Sequence, residues 1–183
     1  MRKVVAVLAL LLLASAAARA EPVHIVAFGD SATAGYPVPR DQAYPAQLRR
    51  ALRAKGYDVA VTNAGVSGDT TAGALRRFDE AIAPGTKMTI VEFGTNDLRL
   101  RVPAAKMRAN LNEIVRTLRA RRIAVLVVGL GSLDLSDVAR ANNVPTRNGH
   151  CRRANIAPVT ARISMRKVMR SWSRACCRRW RHW

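Results

Sequence analysis

The stretch VHIVAFGDS, residues 23–31, decides how the rest of the chain can be interpreted. An apolar run with one polar interruption at His24 is typical of a buried strand, and the Gly29-Asp30-Ser31 that follows is typical of a loop. Further along the chain, amphipathic helical segments alternate with apolar runs of the same kind. The spacing predicts strands over 23–28, 58–64, 87–93 and 123–130, and helices over 44–55, 70–83 and 103–121.

This alternation predicts an α/β protein, a three-layer α/β/α sandwich with a parallel sheet covered by helices on both faces. Right-handed crossovers place the carboxyl ends of all the strands at one edge of such a sheet. Ligands bind at that edge in open α/β sheets. The loops to inspect therefore begin near Gly29, Gly65, Gly94 and Gly129.

Three of these loops carry polar blocks: FGDS at 28–31, NAGVSGDT at 63–70 and GTND at 94–97. Taken singly they also suit turns and helix caps, with Asp69 and Asp97 as N-caps and Gly68 required for its backbone angles. Taken together they could surround one small volume. An ester hydrolase needs a serine hydroxyl and fixed donors for the oxyanion, which the amides of Ser31 and Gly68 and the Asn96 carboxamide would supply.

The order and position of these blocks resemble the SGNH (GDSL) hydrolase superfamily, particularly its bacterial secreted arylesterases, acyl thioesterases and lysophospholipases. The resemblance runs from about residue 23 to 145, although Ala32 stands where the family usually has a leucine. It implies the flavodoxin-like sandwich of that family and a small acyl ester or thioester as substrate. It also implies specific roles, with Ser31 as the nucleophile, Ser31, Gly68 and Asn96 as the oxyanion hole, and Asp30, Asp69 and Asp97 as supporting residues.

Competing motifs are absent from the sequence. It contains no G-x-S-x-G elbow, Walker loop, H-E-x-x-H or C-x-x-C. Neither a metal nor a nucleotide cofactor is implied, and we expect none.

The general base that serine requires is the missing part. In the family it is a histidine oriented by an aspartate in a late D-x-x-H block, and this sequence has no such block. The three histidines are His24, near the start of the first predicted strand, and His150 and His182, both near the end of the chain. No catalytic histidine or aspartate can be identified.

The end of the chain differs in composition from the rest. The sequence has 31 Lys and Arg against 12 Asp and Glu, a net charge of +19. Residues 21–145 hold 17 of these basic residues and all 12 acids, so they carry only +5, whereas 146–183 hold 11 basic residues and no acid. All three Trp and all three Cys also lie in this tail. A basic, Trp-bearing tail could bind anionic lipid or nucleic acid, and a binding module of that kind is the alternative function.

A change of reading frame near Pro145 would explain the tail as one event. If residues 159–165 are encoded as GTG ACG GCG CGC ATT TCA ATG, reading from the third base gives Asp-Gly-Ala-His-Phe-Asn, which is the missing block. The sequence thus predicts a truncated hydrolase domain over 21–145 and a tail over 146–183 that is unlike the family. The last strand and helix of the fold would then be lost.

The first twenty residues are typical of an export signal. Arg2 and Lys3 precede an apolar stretch over 4–18, and Ala18-Arg19-Ala20 forms a cleavage site. A membrane anchor is the alternative, but this stretch is shorter than the about 20 residues needed to span a bilayer. We expect a periplasmic or secreted protein without a transmembrane anchor or a nucleic-acid partner, and the sequence does not indicate its oligomeric state.

Overall fold

A computed structural model describes residues 21–148, so the predicted export signal and residues 149–183 of the predicted tail lie outside the described part. Five parallel strands form one sheet in the order β2-β1-β3-β4-β5. Their bounds are β1 Val23–Gly29, β2 Val59–Gly65, β3 Met88–Glu92, β4 Ala124–Gly129 and β5 Thr146–Asn148. The parallel α/β fold predicted from the alternation is confirmed.

The order in which strands are added to the sheet reverses at β1. The chain passes from β1 outward to β2 and then returns to add β3 on the other side of β1. The loops after β1 and β3 diverge at this switch point, which leaves the crevice where ligands bind in folds of this kind. Ser31 follows β1 and Asn96 follows β3, so two of the predicted blocks flank this crevice.

The fifth strand begins inside the predicted tail. The sequence analysis assigns Thr146 to the tail and expects the last strand to be lost, whereas Thr146–Asn148 pairs with β4. The Pro145 carbonyl oxygen accepts a hydrogen bond from the Val127 N–H, which leads the chain into this pairing. Three residues are enough to continue the ladder because β4 supplies the partner groups. The predicted loss of the helix that would follow lies outside the described residues.

Helices cover the two faces of the sheet. The α-helices are α1 Ser31–Ala34, α2 Tyr44–Arg53, α3 Thr71–Arg76, α4 Phe78–Ala81, α5 Thr95–Arg99, α6 Ala104–Ala120 and α7 Ser136–Ala141. The helix predicted over 70–83 is wrong in one respect, because it is interrupted at Arg77, whose φ of −105° and ψ of 15° end α3 before α4 begins. At this break the Arg77 side chain bonds to the ends of β1 and β2 and to Asp69, as described below.

Two apolar clusters lie on opposite faces of the sheet. On one face, Val26, Phe28 and Val91 pack beneath α6, whose buried side chains recur at helical spacing. On the other, Ile25 and Leu126 meet α2. Alternate residues of each strand thus serve alternate layers, which is why the strands read as continuous apolar runs. Among the described residues, no helix is both long and apolar enough to cross a membrane.

Candidate active site

Ser31 is the first residue of α1, two positions after β1 ends at Gly29. Asp30 is the N-cap of this helix, and its Oδ1 accepts a hydrogen bond of 3.0 Å from the Ala32 N–H. Asp30 is buried, and desolvation raises the pKa of its carboxyl, although the Ala32 amide, the Arg99 charge and the Ser31 hydroxyl oppose that shift. The turn thus places Ser31 at the edge of the sheet where the carboxyl ends of the strands lie, and the hydrogen bond from Ala32 to Asp30 fixes the start of α1.

Asn96 joins the other two blocks. Its Nδ2 donates to Oδ2 of Asp30 at 3.2 Å and to the carbonyl oxygen of Asp69 at 2.8 Å. Asp30 adjoins Ser31 and Asp69 adjoins Gly68, so one carboxamide bridges the neighbours of both. The structure therefore brings the three predicted blocks to one place. Both N–H groups of Asn96 Nδ2 are used in these bonds. An oxyanion that accepts from Asn96 would therefore replace one of the two acceptors, and the longer bond, to Asp30, is the one expected to break.

Gly68 lies at the exposed tip of the loop after β2. Its φ is +80°, and a Cβ built on it would meet no atom within 4 Å. The backbone angle, not crowding, is what favours glycine here. Within residues 21–148, none of the structure's hydrogen bonds uses the backbone N–H of Ser31 or that of Gly68. Both amides are thus available to an anionic ligand.

Asp97 ties the loop after β3 to the start of α3. Its carboxylate accepts from the Thr71 N–H at 2.9 Å and from Thr71 Oγ1 at 2.6 Å, and Asn110 donates to the same hydroxyl at 3.0 Å. Asp97 lies inside α5, so it is not the N-cap of its own helix, but it caps α3 from outside. The N-cap of α3 is Thr70, and not Asp69 as the alternative interpretation of that residue had it.

Glu92 is a buried acid that the sequence analysis did not single out. It is the last residue of β3, and its Oε2 accepts a 2.8 Å hydrogen bond from Thr33 Oγ1 on α1. Desolvation raises the pKa of this carboxyl well above its ordinary value, and the neighbouring Asp30 charge adds to the shift. Gly29 leaves room for it, because a Cβ at that position would lie 2.8 Å from Oε2. A strand-end acid facing α1 has no local sequence signal.

The described histidine is remote from this edge. His24 lies at the start of β1, where its Nε2 is 2.7 Å from Thr62 Oγ1 of β2. Ser31 lies seven positions further along the chain, roughly 20 Å away at about 3.3 Å per residue of strand. His24 therefore does not serve Ser31, and His150 and His182 lie outside the described residues.

The chemistry of this edge is that of anion binding beside a hydroxyl. The Asn96 carboxamide contacts the neighbours of Ser31 and Gly68, and a tetrahedral oxyanion requires N–H donors such as this carboxamide and the two backbone amides. In the part of the chain that the structure describes, there is no group of three or more His, Cys, Asp or Glu side chains that could hold a metal ion.

Comparisons with known proteins found several similar chains. A model of the GDSL-like lipase/acylhydrolase family matches residues 27–179. The esterase TesA of Pseudomonas aeruginosa is 36% identical over 124 residues, which cover 67% of this chain and 60% of that protein. An arylesterase of Vibrio mimicus is 34% identical over 106 residues, or 57% of this chain and 52% of its own length. The chain thus spans between half and two thirds of these relatives.

Solved structures show the same fold. The esterase AlinE4, described as a member of the SGNH-hydrolase family, superposes with a TM-score of 0.65 at 27% identity. That match covers 88% of this chain and 98% of the AlinE4 chain.

Proposed function

Because this chain belongs to the GDSL-like lipase/acylhydrolase family, we propose that it is a serine carboxylic ester hydrolase with Ser31 as its nucleophile. Three loops of the fold would each contribute one part of the site. The relatives named above are esterases, and they lend no support to the alternative of a basic binding module.

In the proposed mechanism, Ser31 Oγ attacks the ester carbonyl carbon and its proton passes to water, because none of the described residues is identified as a base for Ser31. The carbonyl oxygen becomes an oxyanion that accepts hydrogen bonds from the N–H groups of Ser31 and Gly68 and from Asn96 Nδ2. Collapse of this intermediate expels the alcohol and leaves an acyl group on Ser31. Attack by water then releases the acid and regenerates the hydroxyl.

The Asn96 carboxamide is the observation that carries this proposal. Its contacts with Asp30 and with the Asp69 carbonyl bring the neighbours of Ser31 and Gly68 to the same nitrogen. Turn or cap roles for each block separately would not require all three to converge. Supporting roles for Asp30, Asp69 and Asp97 follow, since each of them fixes a backbone segment of the site.

The chain as written should be a poor catalyst, because it has no D-x-x-H block. The oxyanion hole and binding alone leave about 10³ to 10⁴ of acceleration over water in serine hydrolases that lack their triad. We attribute the loss to a shift of frame near Pro145. The family match extends to residue 179 and overlaps the tail, so the nucleotide sequence of codons 144–165 is the direct test.

The test of Ser31 uses p-nitrophenyl acetate, whose leaving group needs no protonation. We expect slow release of p-nitrophenolate and one acetyl group on the peptide that contains Ser31, because deacylation also lacks its base. The Ser31→Ala variant should show neither. Equal rates for the two proteins would refute the proposed function.

Substrate class and location are finer parts of the proposal. We propose small acyl esters or thioesters as substrates, and export to the periplasm or beyond through residues 1–20. Expression of the full chain in a bacterium, followed by mass spectrometry of the periplasmic fraction, should give an N-terminus at Glu21.

A further inference from the structure

We propose that Arg77 is a positioning residue that holds the three loops of the site in register with one another. This inference rests on the proposed function, since it concerns how the Ser31, Gly68 and Asn96 loops are assembled. Arg77 lies on none of those loops, and the motifs of the sequence do not include it.

The guanidinium of Arg77 makes three hydrogen bonds, to the ends of β1 and β2 and to the loop after β2. Nη2 donates to the Gly29 carbonyl oxygen at 3.1 Å, and Nη1 donates to the Ala64 carbonyl oxygen at 2.9 Å. Nε donates to Oδ2 of Asp69 at 2.7 Å, which also makes an ion pair. The side chains of Arg77 and Asp69 are only 19% and 10% exposed, so water competes weakly for this pair.

Two aromatic rings enclose the same guanidinium. Its central carbon lies 4.7 Å from the ring centroid of Phe28 and 5.8 Å from that of Phe93. Phe28 belongs to the end of β1, and Phe93 follows β3 directly. Together with Ala64 near the end of β2, one side chain contacts the ends of all three strands that precede the blocks of the site.

The local backbone is consistent with this role. Arg77 lies at the break between α3 and α4, and its side chain bonds to the sheet while the adjacent Arg76 stays exposed. A guanidinium presents five N–H donors in a planar fork and can serve two carbonyls and a carboxylate at once. An ammonium at this position is a point charge, which can pair with Asp69 but cannot reproduce the fork.

Displacement of the Arg77 side chain would shift the backbone at both predicted oxyanion amides, those of Ser31 and Gly68. Gly29 lies two residues before Ser31, and its carbonyl oxygen also accepts from the Val66 N–H at 3.1 Å. Asp69 follows Gly68, and its own carbonyl accepts from Asn96. Arg77 is therefore linked to Gly68 and to Asn96 through Asp69 alone, and to Ser31 through Gly29 and Asp30.

The test compares Arg77→Lys with Arg76→Lys, a matched variant of the neighbouring exposed arginine. Amide hydrogen exchange is followed in residues 29–35, in residues 66–70 and in α6. We expect Arg77→Lys to raise exchange in both loops about tenfold, as loss of about one net hydrogen bond predicts, while α6 is unchanged. Arg76→Lys should change none of these segments. Unchanged loops in Arg77→Lys, or an equal rise in α6, would overturn the proposal.

Kinetics on p-nitrophenyl acetate adds a second measurement. We expect Arg77→Lys to lower kcat about tenfold with KM within twofold, because the donors move while the binding surface stays. If the parent chain shows no Ser31-dependent rate, the proposed function fails and hydrogen exchange still decides the role of Arg77. Asp69→Asn weakens one of the three contacts, and it should raise exchange in residues 66–70 more than in 29–35. The reverse order would also contradict the assignment.

Discussion

Nδ2 of Asn96 lies 3.2 Å from Oδ2 of Asp30, although 66 positions separate the two residues in the chain. The contact joins the loop after β3 to the turn that presents Ser31. It follows from the sheet order, which places β3 beside β1 and brings the two loops to one crevice. The expected outcomes below follow from this convergence.

Replacement of Asn96 by Ala should lower the Ser31-dependent acylation rate by about 10² to 10³, the usual cost of one oxyanion donor. Release of p-nitrophenolate, corrected with the Ser31→Ala variant, measures it. Asn112→Ala is the matched control, because Asn112 bonds to Asn142 and to no residue of the site. An Asn96→Ala rate within threefold of the parent rate would remove Asn96 from the oxyanion hole.

Gly68→Ala and Gly56→Ala form a matched pair. Both glycines have φ near +80°, and a Cβ on either meets no atom within 4 Å, so each substitution should cost about 1 to 2 kcal/mol through left-handed strain. Only Gly68→Ala should slow acylation of Ser31, because Gly56 follows α2 and lies outside the three blocks. Urea unfolding and acylation rates test the pair, and equal slowing in both variants would point to stability alone.

The buried Glu92 carboxyl should make stability depend on pH. Its pKa is raised in the folded protein above the ordinary 4.5, so the unfolded chain releases this proton at a lower pH than the folded one does. Stability is therefore lost as pH rises from about 4.5 toward the folded pKa, and it levels off above that value. Glu92→Gln stays neutral, so it should gain stability relative to the parent through that window.

Chemical denaturation at intervals between pH 4 and pH 8 measures the difference between Glu92→Gln and the parent. Asp30 has a pKa raised in the same direction, and it is present in both proteins. A stability difference that stays constant with pH would mean that folding does not raise the pKa of Glu92.

The buried bonds between Asp97 and Thr71 should stabilise the fold. Asp97→Asn leaves one acceptor where the carboxylate accepts two hydrogen bonds, so unfolding free energy should fall by about 1 to 3 kcal/mol. Thr71→Val removes the hydroxyl from the same pair. A double-mutant cycle measured by urea denaturation should show that the two losses are not additive, whereas strict additivity would show that the two side chains do not interact.

Restoring the frame tests the account of the tail. A gene corrected near codon 145 should encode Asp-Gly-Ala-His in place of the residues now at 160–163. We expect turnover of p-nitrophenyl acetate to rise by about 10³ or more once a base is present, and to depend on that histidine. A corrected chain that is no faster than the present one would contradict the frameshift.

Much of the fold was predictable because its signals are local. The four predicted strands and the helices later seen as α2 and α6 fall within two residues of their observed ends, since apolar periodicity and glycine stops act over a few residues. Ser31, Gly68 and Asn96 could also be predicted, because each lies in a polar block that follows a predicted strand. The carboxyl ends of parallel strands share one edge of the sheet, so these blocks were expected to lie together.

The tertiary structure alone decided the parts that depend on distant partners. Arg77 lies at a helix break and donates to carbonyls 13 and 48 residues away, and the short β5 pairs with β4. Glu92 is buried because Gly29 and Thr33 make room for it. Such contacts produce no periodic pattern in the sequence, because they join groups that become neighbours only after the chain has folded.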